Sequence, residues 1–144
     1  MKKYILPITI SLISIGLSLY FYSLLPESMA SHWNASGVVD GYSSKLSNVI
    51  MFPALQIFLF LLLIYIPKLD PKKDNIKKFE KEFYIFINSF LIFFTILQLQ
   101  VFLWNTGYKI PMNNLMPALM GGLFLVMAYL IKNAKQNYTG SREE

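Results

Sequence analysis

Four long apolar stretches separated by polar segments dominate the pattern of this chain, and they cover residues 4–25, 49–66, 83–104 and 115–131. A helix over the first stretch would extend roughly 33 Å, slightly more than a bilayer core of ~30 Å. None of the stretches alternates as barrel strands do, and in hydrocarbon the backbone groups find partners only inside helices or closed barrels. The pattern therefore predicts an all-α integral membrane protein with four transmembrane helices.

The composition supports a membrane protein. Hydrophobic residues make up 55% of the 144 residues and charged residues only 15%, whereas soluble proteins average ~25% charged residues. A soluble fold of this size could not bury so much apolar surface, so we expect residues 1–144 to form a single membrane domain. The absence of cysteine excludes disulfides, thiolate metal sites and cysteine nucleophiles.

The basic residues are distributed asymmetrically between the connections. Only Lys45 and Lys109 lie in the first and third connections, and the other eleven lie near the termini or in the second connection. The positive-inside rule therefore places both termini and loop 67–82 in the cytoplasm and loop 26–48 outside a bacterial cell membrane. The net charge of +5 does not indicate nucleic acid, because the lysines adjoin apolar stretches as topology requires.

A cleaved signal peptide is the alternative for the first stretch, because Ser28-Met29-Ala30 imitates a small-x-small cleavage site. The stretch is longer than the usual apolar region of a signal peptide, and Pro26 precedes that site. We therefore favour a retained helix.

Loop 67–82 is rich in lysine but also contains acidic residues. One interpretation is a solvated helix end beside anionic lipid headgroups, and the other is a docking site for a cytoplasmic partner. The lysines are Lys68, Lys72, Lys73, Lys77, Lys78 and Lys81. We favour the headgroup interpretation from the residues alone, since every multi-span protein needs such charges.

The apolar stretches contain no ionisable Asp, Glu, Lys, Arg or His, which argues against an ion-coupled transporter. Small residues at the spacing of close helix–helix contacts occur in two stretches. They are Ser11, Ser14, Gly16 and Ser18 in the first and Ala118, Gly121 and Gly122 in the fourth. Asn88 and Thr95 share a stripe of the third stretch, with Gln56 of the second as a candidate partner. We expect hydrogen bonds between helices there rather than a ligand site.

Loop 26–48 is too long for a simple connection between helices, which usually takes 2–8 residues. Pro26 is expected to stop the first helix, and Asn34–Gly37 and Asp40-Gly41 are turn signals. We predict a tight, hairpin-like bend over residues 38–42, so that the loop holds a fixed shape at the membrane surface.

The side chains of this loop allow three interpretations. It is a structural lid in which Trp33 enters the membrane interface and His32 pairs with Asp40 or a backbone carbonyl. It is a recognition surface for an extracellular peptide or protein. Or His32 and Asp40, with Glu27, ligate a metal or act as acid and base. One His and one Asp are few for zinc, and no activated nucleophile is present. We therefore predict no enzyme, catalytic residue or cofactor, and the residues alone favour the lid.

The same loop resembles a family signature. The pattern is an L-P pair, H-W-N, a glycine three residues later, then D-G-Y and a lysine three residues on. It resembles the outer-loop signature of the SdpI-like bacterial immunity proteins. Here it is formed by Leu25, Pro26, His32, Trp33, Asn34, Gly37, Asp40, Gly41, Tyr42 and Lys45. Pro53, expected to open the second span, and the four-span layout also agree, and the resemblance covers residues 1–140.

This resemblance implies an immunity or sensor protein that responds to a secreted toxic peptide and draws a transcriptional repressor to the membrane. It favours recognition over the lid, and the candidate binding residues become His32, Trp33, Asn34, Gly37, Asp40, Gly41, Tyr42 and Lys45. The expected partners are the lipid bilayer, an extracellular peptide, a repressor at the lysine-rich loop and a second copy of the chain. A structural subunit of a membrane complex is a further alternative. Family members carry another C-terminal half, whose opening pattern is echoed by residues 137–142.

Overall fold

The computed structural model describes residues 2–69 and 80–139, which form four helices and one β-hairpin. In chain order the elements are α1 (Lys2–Phe21), β1 (Ser28–Trp33), β2 (Val39–Ser44), α2 (Lys45–Leu69), α3 (Glu80–Asn105) and α4 (Met112–Thr139). Each helix contains a stretch long and apolar enough to cross a membrane. The predicted four membrane helices with an ordered segment between the first two are confirmed. Most of the lysine-rich loop, residues 70–79, and the tail 140–144 lie outside the described residues.

Two predicted roles of proline are wrong. The first helix ends at Phe21, before Pro26, and the chain continues in a turn in which the Phe21 carbonyl accepts hydrogen bonds from the amides of Leu24 and Leu25 at 2.9 and 3.1 Å. The second helix begins at Lys45, so Pro53 lies inside it rather than at its start. A proline inside a helix leaves the carbonyl four residues earlier without its usual donor. Here that carbonyl belongs to Val49.

A hydroxyl from the neighbouring helix supplies the missing donor. Ser18 Oγ of α1 donates to the Val49 carbonyl oxygen at 2.8 Å. The serine also accepts a hydrogen bond from Gln98 Nε2 of α3 at 2.9 Å. Gln98 in turn exchanges hydrogen bonds with Ser14, through Oε1 at 2.6 Å and through Nε2 to the serine carbonyl at 2.9 Å. The predicted close approach on α1 is confirmed at Ser14 and Ser18, with Gln98 as the partner that the sequence did not indicate. It is wrong at Gly16, where an added Cβ would meet nothing within 4 Å.

The other polar residues of the spans are only partly paired. Thr95 Oγ1 lies 3.4 Å from Gln56 Oε1 and donates at 3.0 Å to the Leu91 carbonyl of its own helix. Asn88 Oδ1 is buried without a hydrogen-bond partner. The expected contact between Thr95 and Gln56 is therefore present but long, and Asn88 takes no part in it.

The helices α1, α2 and α3 pack on one another, while α4 packs against α3. The main apolar cluster lies beneath the hairpin and consists of Phe21, Leu25, Met29, Val49, Phe52, Val101 and Phe102. On α4, a Cβ added at Gly121 or Gly122 would meet nothing within 4 Å. The close helix contact predicted at these two glycines is therefore wrong for the part of the chain that the structure describes.

The two ends of the bundle are distinct. Lys3 forms an ion pair with Glu80, so α1 and α3 begin at the same end. At the opposite end, Asn105 contacts Ala30 of β1, and Gly37 lies beside Asn113 at the start of α4. We call this opposite end the hairpin end. It holds both connections that were predicted to lie outside the cell.

Candidate functional site

The hairpin is attached to the bundle through Asn105, the last residue of α3. Its Oδ1 accepts a hydrogen bond from the Ala30 amide at 2.8 Å, and its Nδ2 donates to the Ala30 carbonyl at 3.0 Å. The same Nδ2 donates to the Val101 carbonyl at 2.8 Å, which orients the side chain. The carboxamide thus takes the place that a neighbouring strand would have at the outer edge of β1. Met29 and Ala30 are buried, so this edge is fixed against the bundle.

The base of the hairpin continues directly into α2. The Glu27 carbonyl accepts the Lys45 amide at 2.9 Å, and the Glu27 carboxylate lies 2.7 Å from Lys45 Nζ. The lysine side chain is only 13% exposed, and its Nζ lies 5.2 Å from the centre of the Tyr22 ring. Ser44 Oγ accepts the Ser47 amide at 3.2 Å and so caps the start of α2. Lys45 is therefore part of the joint between strand and helix.

The turn of the hairpin is organised by Asn34. Its amide donates to the Val38 carbonyl at 2.9 Å, and its Oδ1 accepts the amides of Ser36 and Val38, both at 3.0 Å. Gly37 has a φ of 76°, a left-handed conformation that glycine adopts without strain. The predicted turn at Asn34–Gly37 is confirmed.

The bend predicted over residues 38–42 is wrong, because Val39–Ser44 forms the strand β2. The Asn34 turn has already reversed the chain before Asp40-Gly41 is reached. Register shifts occur on both sides of His32, which pairs with Gly41. A Cβ on Gly41 would lie 2.9 Å from the Cβ of His32. Gly41 therefore makes room for a side chain on the opposite strand rather than forming a turn.

The tip of the hairpin reaches the first turn of α4. A Cβ on Gly37 would lie 2.9 Å from Asn113 Cγ. Trp33 stands edge-on against Trp104 of α3, with ring centres 5.5 Å apart. Lys109 Nζ donates to the Trp104 carbonyl at 2.8 Å and lies 4.9 Å from its ring centre. The hairpin is thus in contact with both α3 and α4.

Three of the exposed signature side chains, those of His32, Asp40 and Tyr42, form neither the turn nor the joint with α2. His32 Nδ1 lies 2.5 Å from Asp40 Oδ1, and their side chains are 71% and 43% exposed. Tyr42 is 68% exposed. The predicted pairing of His32 with Asp40 is confirmed, and the pair faces solvent instead of closing a buried contact.

Glu27, the third residue of the alternative metal or acid–base set, lies apart from His32 and Asp40. Glu27 pairs with Lys45 at the base of the hairpin, whereas His32 pairs with Asp40 nearer the turn. Within residues 2–69 and 80–139, no three His, Asp or Glu side chains are grouped closely enough to hold a metal ion. The structure thus places Glu27, the third ligand that the sequence allowed, away from His32 and Asp40.

The residues that fix the hairpin lie partly outside the signature. Neither Asn105 nor Met29 was predicted to hold the hairpin. An asparagine at the end of an apolar stretch could have indicated such a hydrogen-bonded contact. Asn48 was also missed, and its Nδ2 donates to Ser43 Oγ at 2.7 Å and to the Ser44 carbonyl at 2.9 Å. These contacts connect β2 to the first turns of α2.

Residues 9–57 match a family model described as a domain of unknown function, DUF1648. The matched segment contains most of α1, the whole hairpin and the first half of α2. It includes all eight candidate residues of the signature. No curated protein and no solved structure matches the chain.

Proposed function

We propose that this multi-pass membrane protein is a non-enzymatic immunity or sensor protein that recognises a secreted peptide through its hairpin. The supporting observation is that the signature residues have two different roles. Asn34, Gly37 and Lys45 are used to build the hairpin, and His32, Asp40 and Tyr42 are left exposed on it. Side chains held on a scaffolded surface loop are the usual means of binding a partner.

The rigid attachment supports recognition further. The amide of Asn105, the Trp33–Trp104 contact and the Gly37–Asn113 approach hold the hairpin against α3 and α4. A fixed surface loses little conformational entropy on binding, which favours affinity. The distribution of basic residues supports an extracytoplasmic position for this end of the bundle.

The proposal includes a second role, in the cytoplasm, besides recognition of a peptide by the hairpin. The lysine-rich loop would report to a cytoplasmic repressor, as the resemblance to the SdpI-like proteins implies. Residues 70–79 of that loop lie outside the described residues, so this part rests on the charge pattern and the resemblance alone.

The test compares cells that lack the gene with cells complemented by wild-type protein or by variants. All are challenged with the secreted peptide fraction of competing bacteria. We expect the wild-type gene to restore protection, and the triple variant His32→Ala, Asp40→Ala, Tyr42→Ala to lose it. Removing central binding side chains costs at least ~2 kcal/mol, which is about a thirtyfold loss of affinity.

The matched control is Tyr108→Ala, which removes an exposed tyrosine from the other connection at the hairpin end. It should protect as well as wild type when membrane expression is equal. Full protection by the triple variant at equal expression would remove the hairpin from the mechanism.

A further inference from the structure

We propose that the free edge of β2 binds an extended, basic segment of an extracellular peptide by strand addition. The inference rests on the proposed function and specifies how the hairpin holds its ligand. In strand addition the peptide backbone pairs with an open sheet edge, and alternate side chains give selectivity.

The two edges of the hairpin differ in their partners. The sheet has two strands, β1 and β2. The outer edge of β1 is occupied at Ala30, whose amide and carbonyl both bind the Asn105 side chain. No strand of the described chain lies beside the other edge of β2. An open edge of this kind is a template for pairing with another chain.

The register identifies the backbone groups that face this edge. Lys45 and Glu27 are a hydrogen-bonded pair across the hairpin. Hydrogen-bonded and non-hydrogen-bonded pairs alternate along an antiparallel ladder, which makes the Ala30–Tyr42 pair non-hydrogen-bonded. The outward bonds of Ala30 to Asn105 agree with this assignment. The amide and carbonyl of Tyr42 therefore point away from β1, toward the open edge.

The open edge is short. At its base the Ser44 carbonyl already accepts Asn48 Nδ2 at 2.9 Å, and α2 begins at the next residue. Toward the tip, the Val38 carbonyl and amide are used by Asn34. The segment available for pairing is therefore centred on Tyr42 and suits a few extended residues rather than a whole sheet.

The charges on the hairpin favour a basic occupant. The Glu27 carboxylate is balanced by Lys45, whereas Asp40 faces the imidazole of His32. Residues 26–45 thus have a formal charge of −1 with histidine neutral. The exposed ring of Tyr42 offers a further contact for a cation. A second copy pairing through the same strand would place a second Asp40 on the neighbouring strand, and like charges across a ladder are destabilising.

The experiment measures binding of two fluorescent heptapeptides to the protein in lipid nanodiscs. One alternates lysine and threonine, and the other alternates glutamate and threonine. We expect the lysine peptide to bind at least about tenfold more tightly, the effect of one charge-assisted contact. Equal binding of both peptides, or no binding of either, would overturn the proposal.

Two variants of one residue separate backbone from side-chain recognition. Tyr42→Pro removes the outward amide, and an edge strand tolerates proline where its N–H faces solvent. It should weaken binding of the lysine peptide at least about tenfold. Tyr42→Ala keeps the amide and loses the ring, so we expect about a threefold loss. Equal losses in the two variants would contradict strand addition.

A peptide series leaves the protein unchanged and so avoids any folding defect of the proline variant. Lysine–threonine peptides are N-methylated at one position at a time. Because successive amides of a strand point to opposite edges and the open edge is short, methylation should weaken binding at the position whose amide faces Tyr42 but not at the two positions beside it. Losses without this alternation would overturn the inference.

Two further outcomes identify which proposal fails. A wild-type dimer that Tyr42→Pro converts to a monomer would assign the edge to a second copy and overturn peptide addition. Full cellular protection by Tyr42→Pro, with loss in the His32, Asp40 and Tyr42 triple variant, would also overturn strand addition but leave the proposed function standing. Full protection by the triple variant would instead contradict the proposed function itself.

Discussion

Replacing Asn105 with leucine is expected to release the hairpin from the bundle and to lower the free energy of unfolding by about 3 kcal/mol. The substitution removes both partners of the Ala30 backbone, at 2.8 and 3.0 Å. Ala30 is 4% exposed, so water cannot replace the lost side chain without movement of the strand. A buried backbone group left without a partner costs ~1–3 kcal/mol.

The measurement is unfolding of the protein in nanodiscs, together with amide hydrogen exchange over β1. Asn133→Leu is the matched control, because Asn133 Nδ2 also donates to the carbonyl four residues earlier, at 2.8 Å, but is not part of the hairpin contact. It should change stability by no more than ~0.5 kcal/mol. Equal effects of the two variants, with unchanged exchange in β1, would show that Asn105 does not anchor the hairpin.

Replacing Gln98 with leucine is expected to lower the free energy of unfolding by about 2 kcal/mol. The buried amide makes three hydrogen bonds to α1, two with Ser14 and one with Ser18. Hydrogen bonds between membrane helices contribute ~0.6 kcal/mol each on average, with a maximum near 1.7. Loss of the whole set should therefore weaken the α1–α3 contact without changing the apolar surface that faces lipid.

Thr95→Val is the control for Gln98, since its hydroxyl donates mainly to its own helix and lies 3.4 Å from Gln56. We expect an effect within ~0.5 kcal/mol. A double-mutant cycle of Gln98→Leu with Ser14→Ala should show coupling, because the Ser14 hydroxyl donates to Gln98 Oε1 at 2.6 Å, whereas the bond from Gln98 Nε2 to the Ser14 carbonyl does not depend on that side chain. Additive effects in that cycle would contradict a hydrogen-bonded contact between the helices.

The four helices were predictable because, in hydrocarbon, backbone N–H and C=O groups must find their hydrogen-bond partners within the protein, as they do in a helix. Their ends were less predictable, because local and distant contacts decide them. The helix α1 ends at Phe21 in a hydrogen-bonded turn, and Pro53 lies inside α2, where Ser18 of another helix compensates its missing amide. Such a compensation joins residues that are distant in the sequence. A pattern of neighbouring residues therefore does not indicate it.

The hairpin was predicted in part. The asparagine and glycine of the turn at 34–37 have conformational preferences that a short segment reveals. The strand β1 was missed because its burial does not alternate simply: Met29 and Ala30 are both buried, and the register shifts around His32. The burial of β2 does alternate, but its residues include aspartate and glycine, which are depleted in strands. The contact that holds β1 joins Ala30 to Asn105, which is 75 positions away.

The candidate site was predicted as one surface, and the structure divides it by role. Asn34 and Gly37 build the turn, Gly41 admits His32, and Lys45 joins β2 to α2. Sequence spacing cannot separate residues that form a surface from residues that contact a ligand, because both occur in the same short segment. The exposure and the hydrogen bonds of each side chain in the structure distinguish the two kinds of residue.

Cysteine labelling in intact cells tests the central claim most directly, because the chain has no cysteine of its own. One variant places a cysteine at Ala35 in the exposed turn of the hairpin, and a second places it at Lys81 near the opposite end of the bundle. We predict that a membrane-impermeant maleimide labels Ala35→Cys in intact cells and Lys81→Cys only after permeabilisation. Labelling of Ala35→Cys only after permeabilisation would place the hairpin in the cytoplasm and contradict recognition of an extracellular peptide.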